Sequence, residues 1–518
     1  MPVSPVFCRI ASNPPSSLPL RILDNMSAVC LLSSVGEHHA NSNGKEKRLE
    51  GCMMMCRRLS LWDELKLQCC LAGPLIANNF LQTASVQIIS LMFVGHLGEL
   101  ALSSSSLAIS LANVIGTCVM TGLASGLETL CGQAFGAKQY QLVGLYLQTG
   151  LIISNATAVF ASFLCGYMDV LLRAVGLDER ISEEAGSYAK FLIPSLLAQA
   201  SLQPLIRLLQ VQSIVYPMVL SSGTAILIHV LLCWYLVLKT SLGFTGAALS
   251  TSICTWINVI LLYGYVIFSP ACSITRTPLS LQSFKYAKKF SKLAIPSAAM
   301  TCLQWWCYEI FILLSGLLPN PELQTSALSI CLNFSNLAFQ IPFGFSGTIS
   351  IRVSNELGAE QPEAARQAVY VAVILTEAEA VVASVLLWSF RNVLGYIFSG
   401  NSDVVNAVTG LLGLLALSSF LDSNQALLSG IARGCGWQVL GALINFGSFY
   451  MIAMPVGITL GFLTPLGVRG LWIGVICGPF VQIFLLGFMT WMAKWDEEAK
   501  KAKHRLELEN CMDAGTWT

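Results

Sequence analysis

The stretch Ala294–Leu318 reads AIPSAAMTCLQWWCYEIFILLSGLL and places one acid, Glu309, within an apolar run. A run of about twenty apolar residues is long enough to cross a bilayer as a helix. An acid at that depth costs roughly 2.5–3.5 kcal/mol, so it normally faces a polar interior and has a function. A second acid of this kind, Asp422, lies in Ala416–Gly430 with no other charge around it. These two acids predict a proton-linked site inside a membrane protein.

The composition indicates a polytopic membrane protein. Of the 518 residues, 55% are hydrophobic and 11% are charged, whereas soluble proteins average about 25% charged residues. A net charge of +1 argues against nucleic acid as a partner, because that would require a basic patch. The 18 cysteines show neither zinc-ligand spacing nor paired extracellular spacing. We therefore expect no metal site and no cofactor.

Apolar segments divide the chain into an N-terminal tail (1–57), an N-lobe (58–280), a C-lobe (281–493) and a C-terminal tail (494–518). The tail 1–57 is rich in polar residues, which predicts disorder. The charged C-terminal tail is predicted to be solvated. Between the tails we predict twelve transmembrane helices at 68–93, 101–125, 143–168, 188–209, 213–238, 245–269, 293–318, 325–350, 367–390, 405–430, 438–462 and 468–492.

Loop charges predict the orientation, since lysine and arginine collect on the cytosolic side of membrane proteins. One set of predicted loops carries most of them, and the opposite set carries few. Both termini are therefore predicted to be cytosolic. The residues assigned to the cytosolic side are Arg57, Arg58, Lys138, Arg276, Lys285, Lys288, Lys289, Arg352, Arg366, Arg433, Lys494, Lys500, Lys501 and Lys503.

The two halves of the chain repeat. Pro74 and Pro296 differ by 296 − 74 = 222 positions, and Gln82, Gly122 and Gln203 recur as Gln304, Gly344 and Gln425 at the same offset. Each half contains an even number of spans, so the copies share one orientation and are related by an axis along the membrane normal. Paired bundles of this kind place substrate sites near the midplane, at the interface between the halves. Pro74 and Pro296 remove a backbone donor and are predicted conformational kinks, although a kink needed only for packing is equally compatible.

The acids are distributed unequally between the halves. In the first half, Glu128 and Asp169 lie at span ends, whereas the second half holds Glu309, Glu377, Glu379 and Asp422 inside spans. Protonation of a buried carboxylate and its pairing with a cationic substrate would each relieve the cost of burial, and competition between the two is a mechanism for antiport. We assign proton coupling to Asp422 and Glu309. For Glu377 and Glu379, structural and functional roles are equally compatible.

Other residues near Glu309 suggest substrate contacts, and no motif indicates an enzyme. Trp305, Trp306 and Tyr308 could stack on flat or cationic substrates, or could face lipid or a neighbouring helix. No Walker A motif is present, which argues against ATP as the energy source. Neither Gly-x-Ser-x-Gly nor His-Glu-x-x-His occurs.

Several motifs resemble the MATE (multidrug and toxic compound extrusion) transporters, in particular the plant DETOXIFICATION branch. The resemblance runs from about Trp62 to Trp495. It is carried by VGHLGELA (Val94–Ala101), LCGQAFGA (Leu130–Ala137), LSGLLPNP (Leu314–Pro321), RVSNELGA (Arg352–Ala359) and LSGIARGCGWQ (Leu428–Gln438). It implies an all-α polytopic membrane protein with twelve transmembrane helices in two pseudo-symmetric six-helix lobes, alternating access, and export of organic compounds against protons.

The resemblance also implies a proton and substrate site in the C-lobe, with one departure. Asp422 matches the family's acid on the tenth helix, and Asn333 matches a polar residue on the eighth. The family usually has Cys-Leu-Glu on the seventh helix, where this chain has Cys302-Leu303-Gln304. An amide cannot titrate. Glu309 matches a second acid of the family but points away from the Gln304 face by roughly 140°.

We therefore predict a proton-coupled antiporter that exports small organic compounds or xenobiotics, acts as a monomer, and lies in the vacuolar or plasma membrane. The predicted substrate-binding residues are Gln304, Asn333, Trp305 and Tyr308. An uncoupled facilitator and a lipid-linked substrate flippase of the same architecture are the alternatives. A passive channel is disfavoured, because a pore-like ring of charges is missing from the sequence and the repeat carries buried acids.

Overall fold

The described part of the chain is helical throughout. The computed structural model describes residues 42–174, 176–394 and 402–514, and these contain helices and turns but no strand. Most of the predicted tail 1–57 lies outside the described residues, and its last part belongs to the helix that begins at Ser42. The all-α prediction is confirmed.

Twelve spans follow one another along the chain. The first combines Ser42–Asn79, a π-helical turn Phe80–Ser85 and Val86–Gly95. The other eleven are each long and apolar enough to cross a membrane. The second to twelfth spans cover Glu99–Gly136, Tyr140–Gly166, Glu179–Val211, Tyr216–Leu238, Thr245–Phe268, Leu281–Ser315, Ala327–Gly358, Pro362–Leu394, Val405–Cys435, Gln438–Phe462 and Val468–Met492.

Several helices continue past the predicted spans, because polar residues at their ends are buried instead of solvated. The second span was predicted to end at residue 125, yet the helix runs to Gly136 and buries Glu128 and Gln133. The eighth and tenth spans likewise extend to Gly358 and Cys435. The added turns bring charged and amide side chains into the interior of the protein.

Three spans contain π-helical turns, which often occur at functional positions. They are Phe80–Ser85 in the first span, Asn113–Thr117 in the second and Phe446–Ala453 in the eleventh. Pro74 and Pro296 both lie inside long helices. Their role as conformational kinks remains a prediction.

The helix contacts repeat with an offset of six spans. The fourth span packs against the second, third and sixth, and the tenth packs in the same way against the eighth, ninth and twelfth. Between the halves, the second span packs against the seventh, and its counterpart, the eighth, packs against the first. Two pseudo-symmetric six-helix lobes are therefore present. The exact boundary at residues 280 and 281 remains a prediction.

Glycines allow the lobes to approach closely at the ends that the loop charges assign to the cytosol. A Cβ at Gly136 would collide with the backbone oxygen of Asn355, and one at Gly358 would collide with the backbone of Gln133. These contacts join the ends of the second and eighth spans. We call them the cytosolic seal, defined by Gly132, Gly136 and Gly358 with their partners Gln133, Ser354 and Asn355.

The C-terminal helix Trp495–Ala514 packs on this same side and was wrongly predicted to be solvated. Its Glu498 accepts a hydrogen bond from Trp437 Nε1 at 3.0 Å, and Arg505 Nη2 donates to the carbonyl of Cys435 at 2.9 Å. Burial lowers the pKa of Arg505, and the Glu498 carboxylate opposes that shift. Leu506, 4% exposed, joins a hydrophobic core that includes Leu127 of the N-lobe. The helix therefore contributes to both lobes.

Candidate functional site

Asp422 lies in the interior of the tenth span, where the sequence placed it. It is 6% exposed, and the hydroxyl of Tyr308 on the seventh span donates a long hydrogen bond of 3.4 Å to Oδ1. The Tyr308 ring packs edge-on against Phe449 of the eleventh span. The seventh span thus contacts this carboxylate, and the eleventh span packs against the tyrosine that does so.

Glu309 lies elsewhere, at the interface between the lobes. Its Oε2 accepts a hydrogen bond of 2.9 Å from Ser110 Oγ on the second span. The neighbouring Trp306 donates from Nε1 to the carbonyl of Val114, which belongs to the π-helical turn Asn113–Thr117, at 3.2 Å. Glu309 therefore contacts the N-lobe, whereas Asp422 is enclosed in the C-lobe.

Gln304, the residue that departs from the family pattern, forms a reciprocal amide pair with Gln425. Gln304 Nε2 donates to Gln425 Oε1 at 3.1 Å, and Gln425 Nε2 donates to Gln304 Oε1 at 2.8 Å. Both side chains are buried. The pair links the seventh and tenth spans through uncharged groups.

A cavity of about 30 Å³ adjoins this amide pair within the C-lobe. Volume of this size admits about two water molecules. The cavity is lined by residues of the seventh, eighth, tenth and eleventh spans, including Thr301, Gln304, Trp305, Ser346, Gln425 and Arg433. Of the four predicted substrate-binding residues, Gln304 and Trp305 line it. Tyr308 and Asn333 do not, and Asn333 is exposed on the eighth span.

Glu377 and Glu379, the other two acids predicted to lie inside spans of the second half, are on the ninth span. Glu379 faces Ser423, which is adjacent to Asp422 in the sequence. Both of its carboxylate oxygens are shielded from solvent. Glu377 is partly exposed on the same helix.

Sequence reasoning missed a buried ion triad beneath the cavity. Glu128 of the second span is 1% exposed, and its Oε1 lies 2.8 Å from Arg207 Nη1 of the fourth span. Its Oε2 lies 3.1 Å from Arg433 Nε of the tenth span, so the triad crosses from the N-lobe to the C-lobe. Arg433 also donates from Nη2 to Ser346 Oγ at 2.8 Å.

Two further hydrogen bonds surround the triad. Thr129 Oγ1 donates to the carbonyl of Arg433 at 2.5 Å, and Gln438 Nε2 donates to Thr129 Oγ1 at 2.6 Å. In the sequence, Glu128 and Arg433 resembled charges at span ends. The unbroken helical pattern up to Gly136 and Cys435 was the signal that both residues are interior.

The N-lobe does not reproduce the amide pair, although its glutamines match by position. Gln82 donates weakly to Asn78 and to Ser222, at 3.3 and 3.4 Å, and Gln203 donates to Gln199 at 3.1 Å. Gln82 and Gln203 thus bond different partners. The cavity and amide pair are features of the C-lobe.

Comparisons with known proteins agree with this architecture. The MatE family model matches residues 74–235 and 296–459, so the two matches begin at the repeated prolines. The chain is 49% identical to Protein DETOXIFICATION 16 from Arabidopsis thaliana over 448 residues, which cover 86% of this chain and 92% of the relative. It is 47% identical to Protein DETOXIFICATION 17 from the same plant over 444 residues, which cover 86% and 93%.

The crystal structure of the eukaryotic MATE transporter AtDTX14 superimposes with a TM-score of 0.84 at 43% identity, covering 86% of this chain and 99% of that one. The relatives of this chain are transporters and not enzymes. The chain is therefore an integral, multi-pass membrane protein of the MatE family, whose members carry small organic compounds across membranes in efflux.

Proposed function

We propose that this protein is a proton-coupled antiporter that exports small organic compounds by alternating access. The observation that carries the proposal is the burial of Asp422 inside the C-lobe, with a tyrosine hydroxyl as its hydrogen-bond partner. A carboxylate at membrane depth is costly while it is charged, and a proton relieves that cost. An acid that alternates between these states couples proton movement to transport.

Alternating access is supported by the division into two lobes and by the position of Glu309. Glu309 belongs to the C-lobe but accepts a hydrogen bond from Ser110 of the N-lobe. Protonation of Glu309 would change an interaction that exists only while the lobes touch at this point. We assign Asp422 to proton binding within the C-lobe and Glu309 to the interface. Gln304, Trp305, Tyr308 and Asn333 remain the proposed substrate-binding residues.

The predicted orientation fits export from the cytosol, across either the plasma membrane or the vacuolar membrane. Both choices place the termini in the cytosol. Each chain contains both lobes and the whole site, so a monomer suffices for this function. Exchange of an organic compound for protons is driven by the proton gradient and needs no nucleotide, in keeping with the missing Walker A motif.

An uncoupled facilitator is the second candidate, and the Gln304–Gln425 pair favours it. Where the family usually has a titratable acid, this chain has an amide that is already hydrogen-bonded to a second amide. Neither group can carry a proton. Coupling would then depend on other acids, of which we assign Asp422 and Glu309.

The test is transport into proteoliposomes with an imposed pH gradient. The external solution contains three aromatic compounds, one cationic, one neutral and one anionic, and mass spectrometry measures the accumulation of each. The variants are Asp422→Asn and Glu309→Gln. Asp496→Asn is the matched control, because Asp496 is exposed on the C-terminal helix.

Each result has a defined meaning. Gradient-driven accumulation that is lost in Asp422→Asn and kept in Asp496→Asn supports the proposal. Loss of gradient-driven accumulation in Glu309→Gln alone would indicate that proton coupling takes place at the lobe interface. Transport by the wild-type protein that ignores the gradient would contradict coupling and identify a facilitator.

A further inference from the structure

The C-lobe cavity has an unusual charge for a site that would bind organic cations. Arg433 is the one charged residue among those that line it, and the polar groups around it are amides and hydroxyls. Asp422 and Glu309, the acids that could attract a cation, do not line the cavity. Arg433 belongs to a triad with two positive charges and one negative charge, so the charge beside the cavity is net positive.

The amide pair also makes the cavity more favourable for an anion than for a cation. Each amide of the Gln304–Gln425 pair uses one N–H and its carbonyl oxygen in the pair, and the second N–H of Gln425 can donate to a ligand. A glutamate at residue 304 would instead present a negative charge to the cavity. The glutamine removes both the attraction for a cation and the repulsion of an anion.

The ion triad can release Arg433 without leaving a carboxylate unpaired. Glu128 is shared between Arg207 and Arg433, at 2.8 and 3.1 Å, so one negative charge serves two positive charges. Arg207 is 5% exposed, and its Nε is buried without a hydrogen-bond partner in the described part of the chain. If a ligand anion pairs with Arg433, Glu128 stays paired with Arg207. All four charges then have partners, which buried charges require.

Aromatic side chains form the apolar part of the same cavity. Trp305, Phe339 and Phe343 line it, and the rings of Phe339 and Phe343 stack with centroids 5.9 Å apart. Flat rings pack favourably on such surfaces. The present volume of about 30 Å³ is too small for a ring, so the cavity must widen when a ligand binds.

We propose that this cavity binds aromatic organic anions, with the anionic group on Arg433, and that Gln304 excludes organic cations. The proposal names the substrate class of the exporter proposed above and rests on it. Carboxylate, sulfate and phenolate groups all have the required chemistry, because a guanidinium donates to any of them through paired N–H groups. Binding of an anion draws Arg433 from Glu128 and so weakens a link between the lobes.

The test uses three ligands with one ring system and different charges. They are 2-naphthoate, 2-naphthamide and 2-naphthylmethylammonium, measured by titration calorimetry against the full-length protein in nanodiscs at neutral pH. We expect 2-naphthoate to bind about tenfold more tightly than the ammonium compound, the range for a charged hydrogen bond. Arg433→Gln should weaken 2-naphthoate about tenfold and leave 2-naphthamide unchanged.

Two further variants separate this effect from a general loss of structure. Arg469→Gln removes an exposed arginine that does not line the cavity and should change none of the three affinities. Gln304→Glu restores a carboxylate beside the cavity and should reverse the preference in favour of the ammonium compound. Only a folded protein can bind the ammonium compound more tightly than 2-naphthoate, so this reversed preference would exclude a general loss of structure.

Three outcomes would overturn the proposal. They are a wild-type preference for the ammonium compound, an equal loss of all three affinities in Arg433→Gln, and binding of none of the ligands. The proton-driven assay is separate, because nanodiscs carry no gradient. If 2-naphthoate binds as expected but a pH gradient drives no transport, only the coupling proposal fails. If a pH gradient drives transport but the protein binds the ammonium compound more tightly than 2-naphthoate, only the present proposal fails.

Discussion

At the scale of single residues, Glu128 has the most demanding position, because its carboxylate pairs with two guanidinium groups from different lobes. Removing one partner of a buried ion pair leaves an uncompensated charge, which is far more costly than losing an exposed pair. The three members of the triad are therefore not equivalent. Glu128 supplies the triad's one negative charge, whereas each arginine supplies one of its two positive charges.

This difference predicts unequal effects on stability. Glu128→Gln leaves Arg207 and Arg433 without a counter-charge and should destabilise the protein by about 3–5 kcal/mol. Arg433→Gln should cost clearly less, because Glu128 keeps Arg207 and the new amide can still donate to Ser346. Thermal unfolding of the purified variants measures the order. Equal losses would contradict the shared-carboxylate arrangement.

Within the site, the sequence predicted least well which side chains contact one another. Asp422 was correctly recognised as buried, because an isolated acid in an apolar helix carries its own signal. The partners of Glu128, Gln304 and Glu309 lie on other spans, at separations of 79 to 305 positions, so no local pattern could reveal them. Only folding brings these side chains together.

At the scale of helices, the second and eighth spans meet through glycines at the cytosolic seal. A methyl group at Gly136 would overlap the backbone oxygen of Asn355, and a backbone cannot move aside as a flexible side chain can. Cys435 is fully buried and follows Gly434, whose carbonyl accepts a hydrogen bond of 3.4 Å from Gln133 of the seal. We therefore expect its thiol to become more exposed when the seal opens.

We predict that Gly136→Ala opens the seal. The eighth span must move away to avoid the new methyl group, so alkylation of Cys435 by a water-soluble maleimide should accelerate several-fold, as measured by mass spectrometry of the digested protein. Gly223→Ala is the control, because a Cβ at Gly223 meets no atom within 4 Å. Unchanged labelling of Cys435 in Gly136→Ala would argue against close backbone contact.

The C-terminal helix leads to a third prediction. Leu506 is buried in the core, whereas its neighbour Glu507 is exposed. Leu506→Ala should destabilise the protein by about 2–5 kcal/mol through the cavity that it leaves, whereas Glu507→Ala should have little effect. Thermal unfolding distinguishes them. A Leu506→Ala variant as stable as the wild type would show that the helix is not anchored there.

At the scale of the whole molecule, the repeat was predictable and its functional asymmetry was only partly so. An offset of 222 positions predicted two equivalent lobes, and the helix contacts repeat accordingly. The unequal distribution of acids indicated a site in the second half. The different partners of the matched glutamines could not be predicted, because side-chain bonding depends on neighbours that the two halves do not share.

Movement between the lobes can be tested with two native cysteines. Cys118 of the second span and Cys302 of the seventh have sulfur atoms 3.5 Å apart, in different lobes. Oxidation by copper(II) phenanthroline, in which two copper(II) ions each accept one electron while two thiol protons are released, should join them in a disulfide and stop transport. A reducing agent should restore it, and Cys118→Ser should make transport insensitive to oxidation. Transport that continues through a disulfide-linked pair would contradict relative motion of the lobes at this point.

The burial of Leu506 also bears on how the protein is made. This residue lies near the end of the chain, yet it shares a core with Leu127, Tyr146 and Phe290, which the ribosome produces much earlier. While synthesis continues, the first lobe lies in the bilayer with an apolar gap where Leu506 later packs. A stalled or truncated chain would keep that gap open, and chaperones and proteases recognise exposed apolar surface.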